Sequence, residues 1–203
     1  IALGDLDGDG LLDIVAVYPG NNAVVVYRNI TSGVGSTPAF GAANAFTVLA
    51  SPAFVHITDF NNDGRPDLVV ASRSASSNVC VLRNLGTVLG SLAFATFQTF
   101  SAGINPSAIA VGDLDRDGRP DLVVSNASSN TVSVFRNISS ASAISLTSVN
   151  ILAAGTTPAV SIGDFDGDSA LDLVTVNGGT NTVSIFRNTS VSGSITFTTR
   201  ADF

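Results

Sequence analysis

The chain has 203 residues, 45% of them hydrophobic, and its 16 acidic and 9 basic side chains give a formal net charge of −7. Every acidic residue is Asp and every basic residue is Arg. Without Glu, Lys or Met the chain lacks most strong helix formers, so we expect an all-β fold built from its many Val, Ile, Thr, Ser, Asn and Gly residues. The composition excludes the clustered basic residues that a nucleic-acid partner needs, and no apolar run reaches the ~20 residues of a membrane span.

An acidic segment recurs four times along the chain, roughly every 50 residues, which is typical of a repeat architecture. Every Asp except Asp202 lies in one of these copies, so the negative charge is concentrated at four points. The copies begin at Leu3, Ile57, Val111 and Ile162 and read LGDLDGDGLLDIVA, ITDFNNDGRPDLVV, VGDLDRDGRPDLVV and IGDFDGDSALDLVT.

The segments around each acidic copy predict four strands, as the third repeat shows. An apolar strand (107–113) enters the acidic loop and a second strand (121–126) leaves it; a turn, a third strand (131–137), a Ser-rich link and a fourth strand (144–155) follow. The second strands are almost continuously apolar, which indicates that both of their faces are covered. This pattern predicts a β-propeller of four-stranded blades, with repeats at about 1–51, 52–105, 106–156 and 157–203.

The acidic loop has the spacing of a site for a hard cation. Asp or Asn at positions one, three, five and nine and a backbone carbonyl at position seven supply the oxygens that Ca²⁺ prefers, and Gly at position six allows a sharp turn. With no cluster of His or Cys, nothing in the pattern suits zinc or copper. We predict about one Ca²⁺ per repeat, up to four, held by Asp5, Asp7, Asp9, the Leu11 carbonyl and Asp13; Asp59, Asn61, Asp63, the Arg65 carbonyl and Asp67; Asp113, Asp115, Asp117, the Arg119 carbonyl and Asp121; and Asp164, Asp166, Asp168, the Ala170 carbonyl and Asp172.

Two loops depart from the consensus, and one alternative explains all four without a metal. Asn61 at position three removes a charge, which predicts weaker binding, and Ser169 replaces the position-six Gly, which strains the turn if φ is positive there. In the alternative, the loops are only Asx-turns between strands. The Asp side chains within one short loop repel one another, and such a loop recurs at the same place in every repeat. Both facts favour a bound cation.

At these motifs the sequence resembles the FG-GAP or VCBS repeats of integrin α-subunit-like β-propellers. The resemblance runs through GDLDGDGLLD, TDFNNDGRPD, GDLDRDGRPD and GDFDGDSALD with their following strands, and it covers essentially the whole chain. It implies Ca²⁺ in the loop that joins the first two strands of each blade, an extracellular or cell-surface location, and a role in adhesion or carbohydrate recognition.

A second repeated feature and two single residues are interpreted as structural. Each third strand ends in Arg-Asn; these pairs could form a ring of ligand-binding groups, but we favour an Arg that pairs with a loop carboxylate and an Asn that opens a turn. His56 and Cys80 lie in apolar strands without catalytic partners, and we interpret both as packed strand residues. The pairs are Arg28-Asn29, Arg83-Asn84, Arg136-Asn137 and Arg187-Asn188.

From the sequence we expect a non-enzymatic, calcium-binding extracellular module that recognises a glycan or a protein. One alternative is a structural repeat of a larger surface assembly or filament, and another is a part of a propeller hydrolase. Four blades in one chain leave three arrangements open: part of a longer propeller chain, association of two copies, or a closed four-bladed ring. We expect one of the first two, since an open array exposes apolar blade faces at its ends.

Overall fold

A computed structural model describes residues 1–74, 78–87, 89–154 and 159–203 of the chain. These residues form 16 β-strands in four antiparallel, four-stranded sheets, and their only helical element is a short 3₁₀ turn, Pro19–Asn21. The described part of the chain has no helix with the length and apolarity needed to cross a bilayer. The expectation of an all-β fold is confirmed.

The sheets follow one another in chain order, and in each sheet neighbouring strands are consecutive in sequence. The first sheet contains β1 (Ala2–Gly4), β2 (Asp13–Tyr18), β3 (Ala23–Asn29) and β4 (Phe40–Thr47). The second contains β5 (Pro52–Thr58), β6 (Asp67–Ser72), β7 (Asn78–Leu82) and β8 (Gln98–Ser101). The third contains β9 (Pro106–Gly112), β10 (Asp121–Asn126), β11 (Thr131–Asn137) and β12 (Leu146–Ala153). The fourth contains β13 (Ala159–Gly163), β14 (Asp172–Asn177), β15 (Thr182–Phe186) and β16 (Ala201–Asp202).

The four strands predicted in the third repeat correspond to β9 to β12, with ends that differ by up to two residues. The far end of the predicted fourth strand, residue 155, and the proposed repeat boundary at 156/157 lie outside the described residues. The segment 195–203, which the sequence predicts as the fourth strand of the last repeat, pairs in two parts. Ala201 and Asp202 form β16 against β15, Phe203 exchanges backbone hydrogen bonds with Val183, and Phe197 forms an isolated bridge with Asn188.

The core lies between the sheets, in three apolar clusters that join the first sheet to the second, the second to the third and the third to the fourth. All residues of β6 and β10 are buried, as the continuously apolar second strands predict, whereas β2 and β14 keep partly exposed positions. No core cluster among the described residues joins the fourth sheet to the first. The sheets therefore form an open row, with one uncovered face at each end.

The two side chains discounted as catalysts lie in the second sheet. Cys80 is fully buried in β7, and burial raises the pKa of its thiol to about 11. His56 lies in β5, where burial lowers the pKa of its imidazole. Both environments disfavour the charged form of the side chain.

Cys80 labelling is expected to report on opening of the second sheet. Because the thiol is buried and stays protonated, a thiol reagent at mildly alkaline pH should modify the native chain at least ~100-fold more slowly than the urea-unfolded chain. Absorbance-monitored labelling in both states measures the ratio. Similar rates would contradict the packing of β7.

Candidate metal sites

The position-nine aspartates connect three strands of each sheet through backbone hydrogen bonds. In the first loop, Asp13 accepts the Leu6 and Asn29 amides at 2.9 Å each. The same two bonds form in every sheet, to Asp67, Asp121 and Asp172. All four carboxylates are buried. We call this arrangement the aspartate clamp, because it ties the loop entry and the end of the third strand to the start of the second strand.

The position-one aspartates close the loop on itself. Asp113 accepts the amides of Asp117 at 3.0 Å and Gly118 at 2.9 Å. The Asx-turn bonds that the metal-free alternative predicts, to the amide two residues on, are made by the next two aspartates: Asp115 accepts the Asp117 amide at 3.2 Å, and Asp117 accepts the Arg119 amide at 3.0 Å. Position six is left-handed in all four loops, with φ of 84–85° at the three glycines and 66° at Ser169. The strain predicted for Ser169 is therefore present, since a Cβ is disfavoured in this region.

Three loops bring carboxylate oxygens together closely enough to share a cation. One oxygen from each of positions one, three and nine lies within 4.8 Å of the other two. The donors are all carboxylate oxygens, the ligands that hard divalent cations prefer. The clusters are Asp5, Asp7 and Asp13; Asp113, Asp115 and Asp121; and Asp164, Asp166 and Asp172.

The second loop replaces one carboxylate with an amide, and this amide has an unpaired oxygen. Asn61 is 3% exposed, and its Nδ2 donates to Asp63 and to the Ala141 carbonyl, at 2.9 Å each. Its Oδ1 is buried and has no hydrogen-bond partner. A buried acceptor without a partner costs free energy, so this oxygen, at position three of the second loop, suits a cation ligand.

Arginines of the third strands engage both the position-five aspartates, which lie outside the three clusters, and the position-three aspartates, which belong to them. Arg136 donates to Asp115 at 2.6 Å and to Asp117 at 2.8 Å. Arg28 and Arg187 pair with positions three and five of their own loops in the same way. The sequence interpretation of these arginines as partners of loop carboxylates therefore agrees with the geometry in three sheets.

The described part of the second sheet lacks this ion pair between the arginine of the third strand and the loop. Among the described residues, Arg83 forms no ion pair, and Arg65 of the loop itself contacts Asp63 at 2.6 Å. The physical reason is Asn61, which leaves no carboxylate at position three for Arg83.

The position-seven residues stabilise the loop through hydrogen bonds from their backbone amides. Leu11, Arg65, Arg119 and Ala170 each donate N–H to the position-five aspartate, at 2.8–3.0 Å. Their carbonyls as cation ligands stay a prediction.

Burial raises the pKa of two loop carboxyls, and an arginine lowers the pKa of another. Burial raises the pKa of Asp67 and of Asp121 to about 6, and neighbouring aspartates add to the rise. The hydrogen bond from Arg187 lowers the pKa of the exposed Asp166. For Asp67 and Asp121, burial and the neighbouring aspartates thus disfavour the ionised form in the absence of further positive charge.

The Asn of each Arg-Asn pair links neighbouring sheets, a role that the sequence interpretation missed. Asn137 Nδ2 donates to the Phe60 carbonyl of the preceding loop at 2.7 Å and to the Pro120 carbonyl of its own loop at 2.9 Å. Asn84 and Asn188 make the equivalent bonds. Recurrence of Asn after Arg at the same place in each repeat was the available signal.

The geometry defines a class: a β-propeller-like repeat protein with an acidic loop between the first two strands of each sheet. The sequence matches the FG-GAP-like repeat family over residues 5–70 and 59–124, which together exceed half of the chain. The chain belongs to this family. A search of curated proteins found no match.

Solved structures with a similar fold include the crystal structure of BBS1N in complex with ARL6DN, soaked with lead. The TM-score is 0.59 at 15% identity, and the match covers 96% of this chain and 55% of that chain. This chain thus spans about half the length of the matched chain, and the likeness concerns the fold alone.

Replacing Ser169 with Gly is expected to stabilise the fourth loop by about 1 kcal/mol, because Gly adopts φ of 66° without the cost of a Cβ. The reverse change in the third loop, Gly118→Ser, should destabilise by a similar amount. Urea unfolding of both variants measures the effect, and equal stabilities would show that the loops do not hold this backbone conformation.

Truncating Asn137 is expected to cost about 3 kcal/mol, since one buried and one partly buried carbonyl lose their donor. Asn29 is the matched control, because in the first sheet its Nδ2 reaches only the Leu12 carbonyl at an exposed site. The free energies of unfolding of Asn137→Ala and Asn29→Ala should differ clearly. Equal losses, measured at a concentration at which the chain is monomeric, would indicate that the bond between sheets contributes nothing.

Proposed function

We propose that the chain is a calcium-binding recognition module in which each acidic loop holds one Ca²⁺. The observation that carries the proposal is the set of three carboxylate clusters with ligand oxygens within 4.8 Å of one another. The unpaired Asn61 oxygen supports a fourth, weaker site. Positions one, three and nine would supply the protein ligands, and the remaining coordination would come from position-seven carbonyls and water.

The cation would act as a structural staple. Each loop joins two core strands, and its buried aspartates repel one another when they are ionised together. A bound Ca²⁺ offsets this repulsion and stabilises the folded state by mass action. The sheets would then hold their connecting loops in one conformation, as a binding surface requires.

For the partner we propose a protein or a glycan, bound by the loops on one side of the row of sheets, in an extracellular or cell-surface setting. The family membership and the repeated loops support a binding role. The similar BBS1N structure is a complex with another protein, which is why we place a protein first. We further propose that the chain is not an enzyme, because its single His and single Cys are packed strand residues.

Removal of Ca²⁺ is expected to lower the melting temperature and the free energy of unfolding. A site filled at 100 times its Kd contributes about 2.7 kcal/mol. Circular-dichroism melts in Ca²⁺ and in EDTA, with calorimetric titration of the chelated protein, measure this effect. An unchanged melt together with no binding heat would overturn the calcium proposal.

Asp113→Asn is expected to remove one calcium equivalent, or to weaken that site at least about tenfold, because the position-one ligand loses its charge. Asp202→Asn is the matched control, since Asp202 lies outside the four loops. Calorimetric stoichiometry compares the two variants with the parent chain. Identical titrations of all three would show that the third loop is not a site.

A further inference from the structure

The three interfaces between sheets share one apolar pattern. Each preceding sheet contributes a valine face, made of the third residue of its second strand and the second and fourth residues of its third strand. Each following sheet contributes a leucine face. It is made of the next-to-last residue of the first strand, the second residue of the second strand and the fifth residue of the third strand. The valine faces are Val15, Val24 and Val26; Val69, Val79 and Val81; and Val123, Val132 and Val134. The leucine faces are Ile57, Leu68 and Leu82; Val111, Leu122 and Phe135; and Ile162, Leu173 and Phe186.

The two ends of the row expose one face of each kind. The fourth sheet carries a valine face without a following sheet, formed by Val174, Val183 and Ile185, and Val183 is 38% exposed. The first sheet carries a leucine face without a preceding sheet, and its Leu3 is 59% exposed. Its members are Leu3, Ile14 and Tyr27, which lie at the equivalent strand positions.

The hydrogen bond between neighbouring sheets also has one half at each end of the row: an acceptor at the fourth sheet and a donor at the first. In the first three loops the position-two residue is at most 2% exposed, and its carbonyl accepts the Asn Nδ2 of the following sheet. The position-two residue of the fourth loop, Phe165, is 55% exposed, and no donor reaches its carbonyl among the described residues. The first sheet holds the equivalent donor, Asn29, which has no preceding loop to bond.

Among the described residues, a close contact at the end of the first strand is likewise formed inside the row and left unpartnered at its two ends. A Cβ on Gly4 would lie 3.0 Å from Ile57, and one on Gly112 would lie 2.5 Å from Ile162, so both glycines make room for the leucine face of the next sheet. Gly163 in the fourth sheet has the same place, and only Phe165 is near it. Leu3 is the first-sheet equivalent of Ile57 and Ile162.

The acidic loops show the same asymmetry. The link between the third and fourth strands of the following sheet touches each of the first three loops: Gly90 N donates to the Asp7 carbonyl at 3.2 Å, and Gly193 N donates to Asp115 at 2.9 Å. Nothing described covers the fourth loop, whose position-one and position-three aspartates are exposed. The equivalent link of the first sheet, 30–39, carries the fully exposed Val34.

We propose that the fourth sheet of one copy packs against the first sheet of a second copy, head to tail. The chain holds both halves of an interface that it builds three times internally, namely the two apolar faces and the Asn29 donor for the Phe165 carbonyl. It also holds Leu3 and Gly163, the two sides of a glycine contact that it builds twice. Such a heterologous contact closes into a ring or continues as a filament, according to its rotation. Link 30–39 of the second copy then covers the fourth acidic loop, which no described residue of a neighbouring sheet covers within one copy.

The 203-residue chain is tested by light scattering over a concentration series, in Ca²⁺ and in EDTA, so that failure of this proposal is distinguishable from failure of calcium binding. The parent chain should reach at least twice its 20.6 kDa mass. Leu3→Arg and Val183→Arg should each remain monomeric, since a charge is placed in one apolar face. Ile104→Arg, an exposed apolar residue in the loop before β9, is the control and should associate like the parent.

Mixing the two blocked variants gives the decisive result. Each variant keeps one intact end, so an equimolar mixture of Leu3→Arg and Val183→Arg should form a 1:1 dimer although neither associates alone. A monomeric parent chain, undiminished association of either variant, or a mixture that stays monomeric would overturn the proposal. Circular dichroism of each variant verifies that it is folded.

Discussion

The aspartate clamp is the interaction on which the rest of the structure depends. One buried carboxylate accepts a backbone amide from the loop entry and another from the end of the third strand, and it stands at the start of the second strand. A single side chain thus fixes three strand ends at the edge where the acidic loop lies. The loop ligands, the arginine pairs and the Asn bonds to the neighbouring sheet are all built on this fixed edge.

Charge in the loops is balanced by two means. Arginines from the third strand engage positions three and five, and the geometry leaves oxygens at positions one, three and nine facing one another. The second loop shows that these means are connected. Where Asn61 replaces the carboxylate, Arg83 forms no ion pair among the described residues, and one buried oxygen is left without a partner. The contact of the loop's own Arg65 with Asp63 remains, as the equivalent contact of Arg119 with Asp117 does in the third loop.

Sequence reasoning was most successful where the information is local. The repeat period and the apolar second strands predicted the sheets, and the spacing of Asp5, Asp7 and Asp13 predicted a cluster that the fold does form. It was least successful where the partner lies in another repeat. The bond from Asn137 to the Phe60 carbonyl joins residues 77 positions apart, and nothing in either segment names the other. The two-residue β16 was likewise unpredictable, because its length depends on what packs beside it.

The clamp also has a consequence for strand register. Side chains alternate along a strand, so a slip of one residue between the first and second strands would move the first strand's contribution from the leucine face to the valine face. Beside the clamp, pairing is regular: Thr58 opposes Asp67, and Gly112 opposes Asp121. The irregular pairings of these two strand pairs fall at the opposite end, near Pro52 and Asn126. In the second and third sheets the first two strands are therefore aligned from the clamp edge, and the irregularity between them is absorbed at the opposite edge.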